Sequence, residues 1–110
     1  MKRLRYFKTL GGKEPFKEWL RGLKDPVAKT KIVMRLDRLS FGNPGDHAPC
    51  RSGVWELRVD QGPGYRIYYA LEGPEIVLIL LGGDKKKQQA DINQAVAWWE
   101  QHQKGREYDL

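Results

Sequence analysis

Arg58 and Arg66 lie in two alternating segments joined by Gln61-Gly62-Pro63-Gly64, and Lys85-Lys86-Lys87 follows the most apolar stretch of the chain. A guanidinium presents a planar fork to phosphate oxygens, an ammonium adds a point charge, and the exposed amides at a helix start reinforce the field. If the hairpin register brings the two polar strand faces together, Arg58, Arg66 and the start of the lysine run form a phosphate-sized cationic site. Tyr68 falls nearby, with a ring on which an unpaired base would stack, as single-stranded RNA is commonly read. The same residues also read as a solvated strand surface, with the arginines paired to Glu56 or Asp60 and the lysines serving as a solubilising turn.

Other chemistries lack their parts. Cys50 is the single cysteine, and His47 and His102 are far apart and outside any zinc spacing, so neither a structural metal nor an internal disulfide is expected. No Ser-His-Asp or Cys-His arrangement can be assembled, which leaves hydrolysis by a serine nucleophile or a metal-bound water unsupported, and no cofactor is implied. The balance of 20 Lys+Arg against 14 Asp+Glu gives a net charge of +6, which suits a polyanionic partner. The longest apolar run, residues 76–81, is far shorter than the roughly 20 residues of a membrane helix. The basic start Met1-Lys2-Arg3 has no apolar region after it, so a cytoplasmic protein is expected, without a secretory signal.

A length of 110 residues with 40% hydrophobic composition predicts one domain, residues 1–110, with a loose tail from about 104. Residues 3–8 read as a short edge strand. Pro15 with Phe16, Trp19, Leu20 and Leu23 predicts an amphipathic helix over 14–23. Asp25 caps a second helix that opens at Pro26 and carries Ala28, Ile32, Leu36 and Leu39 on one stripe up to Gly42. Residues 40–53, rich in Gly, Pro, Asn and Asp, read as a loop of the length kept for binding. The period then becomes two. Trp55, Leu57 and Val59 alternate with Glu56, Arg58 and Asp60, and residues 65–71 alternate again after the Gly-Pro-Gly turn. Residues 76–81, apolar on both faces, read as a central strand. Asp84 starts a last helix with Ile92, Ala95, Val96 and Trp99 on its buried stripe. Trp19, Trp55 and Trp99 are assigned to the core, and Trp98 to a half-exposed position. The order is β-α-α-β-β-β-α, an α/β (α+β) domain with a mostly antiparallel sheet.

The stretch Gly53-Val54-Trp55-Glu56-Leu57-Arg58-Val59-Asp60, then Gly62-Pro63-Gly64-Tyr65-Arg66-Ile67-Tyr68-Tyr69, then Leu81-Gly82-Gly83-Asp84-Lys85 with Gln88, Asp91-Ile92 and Ala95, closely resembles the RelE/ParE superfamily of type II toxins. Within it the likeness is to the phage Gp49-like, HigB-type branch of addiction-module killer proteins. The resemblance spans nearly the whole chain and implies a RelE-like fold.

It also implies the toxin of a toxin-antitoxin pair, with a helix-turn-helix antitoxin as partner and mRNA, commonly on the ribosome, as substrate. Ribonuclease members of the superfamily work without metal: the ribose 2'-hydroxyl attacks the adjacent phosphorus and leaves a cyclic phosphate end. By motif position Arg66 and Arg58 are the phosphate-binding cations, and Lys86 falls where relatives place a basic residue; Lys85, Lys87 and Tyr68 are assigned to RNA binding. Where some relatives carry a tyrosine or histidine in the last helix, this chain has Asp91-Ile92, and Glu56 stands where they carry lysine. Glu56 thereby becomes a candidate base and a lysine of the 85–87 run a candidate acid. Two other readings tolerate a missing proton donor: a ParE-like inhibitor of DNA gyrase on the same fold, and an RNA-binding module without activity.

Overall fold

The computed structural model describes the backbone of residues 1–108 and the side chains of residues 1–105. The elements in chain order are β1 (Arg3–Tyr6), α1 (Pro15–Gly22), α2 (Pro26–Ser40), β2 (His47–Arg51), β3 (Val54–Val59), β4 (Tyr65–Glu72), β5 (Ile76–Asp84), a 3-10 turn at Lys85–Lys87, and α3 (Gln88–Tyr108). The chain is a mixed α+β domain around one five-stranded sheet, in the order β1-β5-β4-β3-β2. β1 runs parallel to β5 at one edge, and every other pairing is antiparallel. Among the described residues no helix is long and apolar enough to cross a membrane.

Local chemistry sets the helix boundaries. Asp25 Oδ1 accepts from the amides of Val27 (3.0 Å) and Ala28 (3.2 Å), and Pro26 takes the first helical position of α2, where a missing N–H costs nothing. Ala28, Ile32, Leu36 and Leu39 are then all buried, as their spacing predicts. α1 likewise opens at Pro15.

Strand alternation divides the core in two. Leu57, Val59, Tyr65, Ile67, Tyr69, Val77 and Ile79 face α1 and α2, while Val54, Tyr68, Ala70, Leu78 and Leu80 face Ala95, Val96 and Trp99 of α3. The layers are therefore helix, sheet, helix. β5 is apolar on both sides because both sides are covered, although β4 holds the middle of the sheet order. Glu56, Arg58 and Arg66 share the parity of the α3 face, so one helix and three strands position them.

Three expectations need correction. Part of the segment 40–53 is not loop: residues 47–51 form β2, an edge strand whose Pro49 and nearby irregularity mask the alternation. Trp19 and Trp55 border the core only partly buried; Trp99 is buried and Trp98 half-exposed, both as expected, and Trp98 stacks on Phe7. The segment from 104 continues α3 through Tyr108 rather than leaving it, and positions 109–110 of the expected tail lie outside the described residues.

Candidate functional site

The β3–β4 register sets Arg58 directly opposite Arg66. Like charges in that arrangement repel, and the fold answers with a carboxylate between them. Glu56, only 4% exposed, brings Oε2 to 3.1 Å from Arg58 Nε and 2.9 Å from Arg66 Nε. Gln88, the first residue of α3, donates to Glu56 Oε1 at 3.2 Å, and the Cys50 thiol on β2 donates to the same oxygen at 3.6 Å. Burial and the neighbouring carboxylate push the Cys50 thiol up to about 11, so it stays protonated and donating at neutral pH. Hydrogen bonding to Glu56, together with its charge, raises the Arg58 guanidinium further above its already high value.

Both guanidiniums line a polar cavity of about 390 Å³, whose other walls are Lys85, the Gly62-Pro63-Gly64 turn, Asp46 and Asp60. Arg66 is the more enclosed cation, with 13% of its side chain exposed against 42% for Arg58. The Lys85 amide donates to Gly64 O at 2.9 Å, which ties the exit of β5 to the hairpin turn. Gly64 has φ +85°, a conformation L side chains rarely adopt, so glycine lets the turn fold back beside Lys85 and Arg66. Asp84 Oδ1 accepts from the Lys86 amide at 3.0 Å and fixes the 3-10 turn.

The structure thus joins Arg58, Arg66, Lys85 and Glu56, and it separates the other expected residues from them. Lys86 and Lys87 are exposed and do not line the cavity. Glu56, expected as a proton acceptor, is a buried bridge taken up by two arginines, a glutamine and a thiol; its geometry is that of a positioning group. Tyr68 is 0% exposed, packed in the core beneath α3, so its ring offers no platform for a base. Sequence parity put it on the correct face but did not show that α3 covers that face there.

Two further residues complete the surroundings. Asp91 of α3 turns Oδ2 toward Gly83 of β5, occupying the space a Cβ would need. That oxygen and the Tyr68 hydroxyl are both buried without a hydrogen-bond partner. Burial raises the Asp91 carboxyl, Asp84 adds to this, and Lys87 opposes it; burial, Asp91 and Glu56 all push the Tyr68 hydroxyl upward. On the opposite side, Arg35 of α2 donates through NH1 to Arg58 O (2.5 Å) and through NH2 to Pro44 O and Asp46 O (both 2.8 Å). It straps the segment carrying Asp46, whose Oδ1 lies 3.8 Å from Arg58 NH1. Asp91 was visible in the sequence only as a departure from a pattern. Arg35 carried no signal at all, since a helical arginine between buried positions resembles any solvated one.

The family model described as phage derived protein Gp49-like (DUF891) matches residues 18–96, which include every residue of this site. An uncharacterized protein of Haemophilus influenzae (strain ATCC 51907 / DSM 11121 / KW20 / Rd) is 48% identical over 80 residues, covering 73% of this chain and 81% of that protein.

Proposed function

The chain belongs to the phage-derived Gp49-like family, a RelE/HigB-type toxin family, and from that premise we propose that it is a metal-independent endoribonuclease acting on mRNA as the toxin of a type II toxin-antitoxin pair. The observation that supports this reading is the Arg58–Arg66 pair, held by buried Glu56 at the wall of a polar cavity shared with Lys85.

The chemistry places distinct demands on the site. As the 2'-oxygen forms its bond to phosphorus and the bond from phosphorus to the 5'-oxygen breaks, extra negative charge builds on the non-bridging oxygens. Glu56 accepts a hydrogen bond from Arg58 Nε and forms an ion pair with Arg66, so two guanidiniums are held in advance near where that charge develops. The 2'-proton passes to solvent water and the departing 5'-oxygen gains a proton. Lys85 is the lysine of the run at the cavity and serves as the donor. The antitoxin silences the protein by covering this cationic cavity with acidic groups, and the substrate places the activity in the cytoplasm.

Incubation of the purified protein with mRNA, with and without translating ribosomes, tests the reading; new 2',3'-cyclic phosphate ends are expected. Losing one preorganised donor costs about 2.7–4 kcal/mol of transition-state stabilisation, roughly a hundredfold to a thousandfold in rate. Arg66→Ala should therefore lose growth inhibition and cleavage with the fold retained. Intact RNA together with arrested DNA synthesis would replace the ribonuclease with a gyrase inhibitor. RNA binding without either effect would leave a passive module.

A further inference from the structure

Glu56 holds the arginine pair, and something has to hold Glu56. Its Oε2 lies between two Nε atoms, accepting a hydrogen bond from Arg58 at 3.1 Å and paired with Arg66 at 2.9 Å. A carboxylate attached through one oxygen can still turn about its last side-chain bond, whose rotation is soft, and such a turn carries the shared oxygen away from the two guanidiniums. Fixing the plane requires a grip on the second oxygen. Gln88 supplies it: Nε2 lies 3.2 Å from Oε1 and 3.5 Å from Oε2, across 32 positions of sequence. The Cys50 thiol also reaches Oε1, but at 3.6 Å and as a weak donor.

The chemistry of an amide suits this position. A carboxylate only accepts hydrogen bonds, so Gln88 must turn its NH2 group, not its oxygen, toward Glu56. The amide also brings no charge. An ammonium at the same place would take a share of the Glu56 charge and compete with both arginines for it, whereas a neutral donor steadies the carboxylate and leaves that charge to them. The backbone prepares the position. Asp84 fixes the 3-10 turn through the Lys86 amide at 3.0 Å, the Gln88 amide donates to Lys85 O, and Asp91, further along α3, packs against Gly83. Gln88 is half-buried while Lys85, Lys86 and Lys87 are exposed, so it is the first residue after the lysine run to turn inward.

We propose that Gln88 is the positioning residue of the Arg58–Arg66 pair, acting through Glu56 and standing outside the cavity that the arginines line. Its effect on rate rests on the ribonuclease reading above; its hold on the guanidiniums does not. Both arginines keep their charge when Gln88 is replaced, so the pair still attracts phosphate. Charge developing at phosphorus then meets guanidiniums that must first be ordered.

The test begins with the free, full chain. The Arg66 Nε–H signal in the nitrogen-15 NMR spectrum, identified by its loss in Arg66→Lys, reports how firmly that guanidinium is held. Gln88→Met keeps the length of the side chain and removes its donor; hydrogen exchange at Arg66 Nε is expected to quicken at least tenfold with the melting temperature unchanged. On mRNA the same variant should cleave at least tenfold more slowly, while its affinity for a short single-stranded RNA stays within threefold and the salt dependence of binding is unaltered. Gln88→Lys should bind RNA at least as tightly as the unaltered chain and still cleave at least tenfold more slowly, a split that an added surface charge does not produce. Cys50→Ala should do less than either. Unchanged exchange in Gln88→Met would overturn the proposal, and so would cleavage by Gln88→Lys at the full rate. If Gln88→Met does not fold, Arg66 exchange in Gln88→Lys, again expected to quicken, decides in its place. A chain that never cleaves RNA, yet shows the faster exchange in Gln88→Met, would sink the ribonuclease reading and keep Gln88 as the residue that positions the pair.

Discussion

Asp91 is a carboxylate that the fold keeps at a cost. Its Oδ2 is buried against the Gly83 backbone without a partner, and burial raises its proton affinity above that of the unfolded chain. A carboxyl whose folded value is raised contributes its stability below the ordinary carboxylate range and loses it as pH climbs through the folded value. Asp91→Asn carries no such charge. Its melting temperature should match that of the unaltered protein in acid and exceed it progressively toward neutral pH, a difference that paired thermal melts across pH would measure. A constant offset would mean that the ionised form is satisfied. Glu56 differs in its surroundings: it is the more deeply buried of the two carboxylates, and Arg58, Arg66 and Gln88 lie around its oxygens. Alternation alone placed Glu56, Arg58 and Arg66 on one face. It carried no information about which of them α3 would cover, and Tyr68 was misassigned for that reason.

Elements in this fold approach one another through missing side chains. On β5, Gly82 leaves the space filled by the Trp19 indole of α1, and Gly83, facing the other way, leaves the space filled by Asp91 of α3. Adjacent glycines thus let a helix close on each side of the same strand, and the second of them lies opposite Arg66. Gly82→Ala would drive Cβ into the Trp19 ring, and overpacking of this kind costs about 1–3 kcal/mol. Urea denaturation should show that loss together with altered Trp fluorescence. Gly82 and Gly83 entered the sequence reading only as part of the Leu81-Gly82-Gly83-Asp84-Lys85 motif, without a structural role, because a glycine's use depends on what packs against it. The capped start of α2 and the buried stripe that follows were legible in full, since Asp25, Pro26 and the apolar spacing act within one helix. β2 was not, because its pairing with β3 is a long-range fact and Pro49 interrupts the local pattern.

Across the whole molecule, a net charge of +6 sets how the protein meets a polyanion, and the arrangement of those charges sets how tightly. If RNA is held mainly at the cavity, the cations that count are Arg58, Arg66 and Lys85, while Lys86, Lys87 and the remaining surface charges supply only a diffuse field. Each phosphate neutralised on a single strand contributes about 0.7 to the slope of log affinity against log salt, so three contacts predict a slope of about −2. Titrating a short single-stranded RNA at several salt concentrations measures that slope directly. Arg66→Ala should make it shallower by about 0.7, and so should Lys85→Ala, whereas Lys86→Ala and Lys87→Ala should weaken binding slightly and leave the slope nearly unchanged. A slope much steeper than −2 that is indifferent to Arg66→Ala would place the RNA across the broad basic surface. The cavity would then be a structural ion-pair cluster with no claim on the substrate.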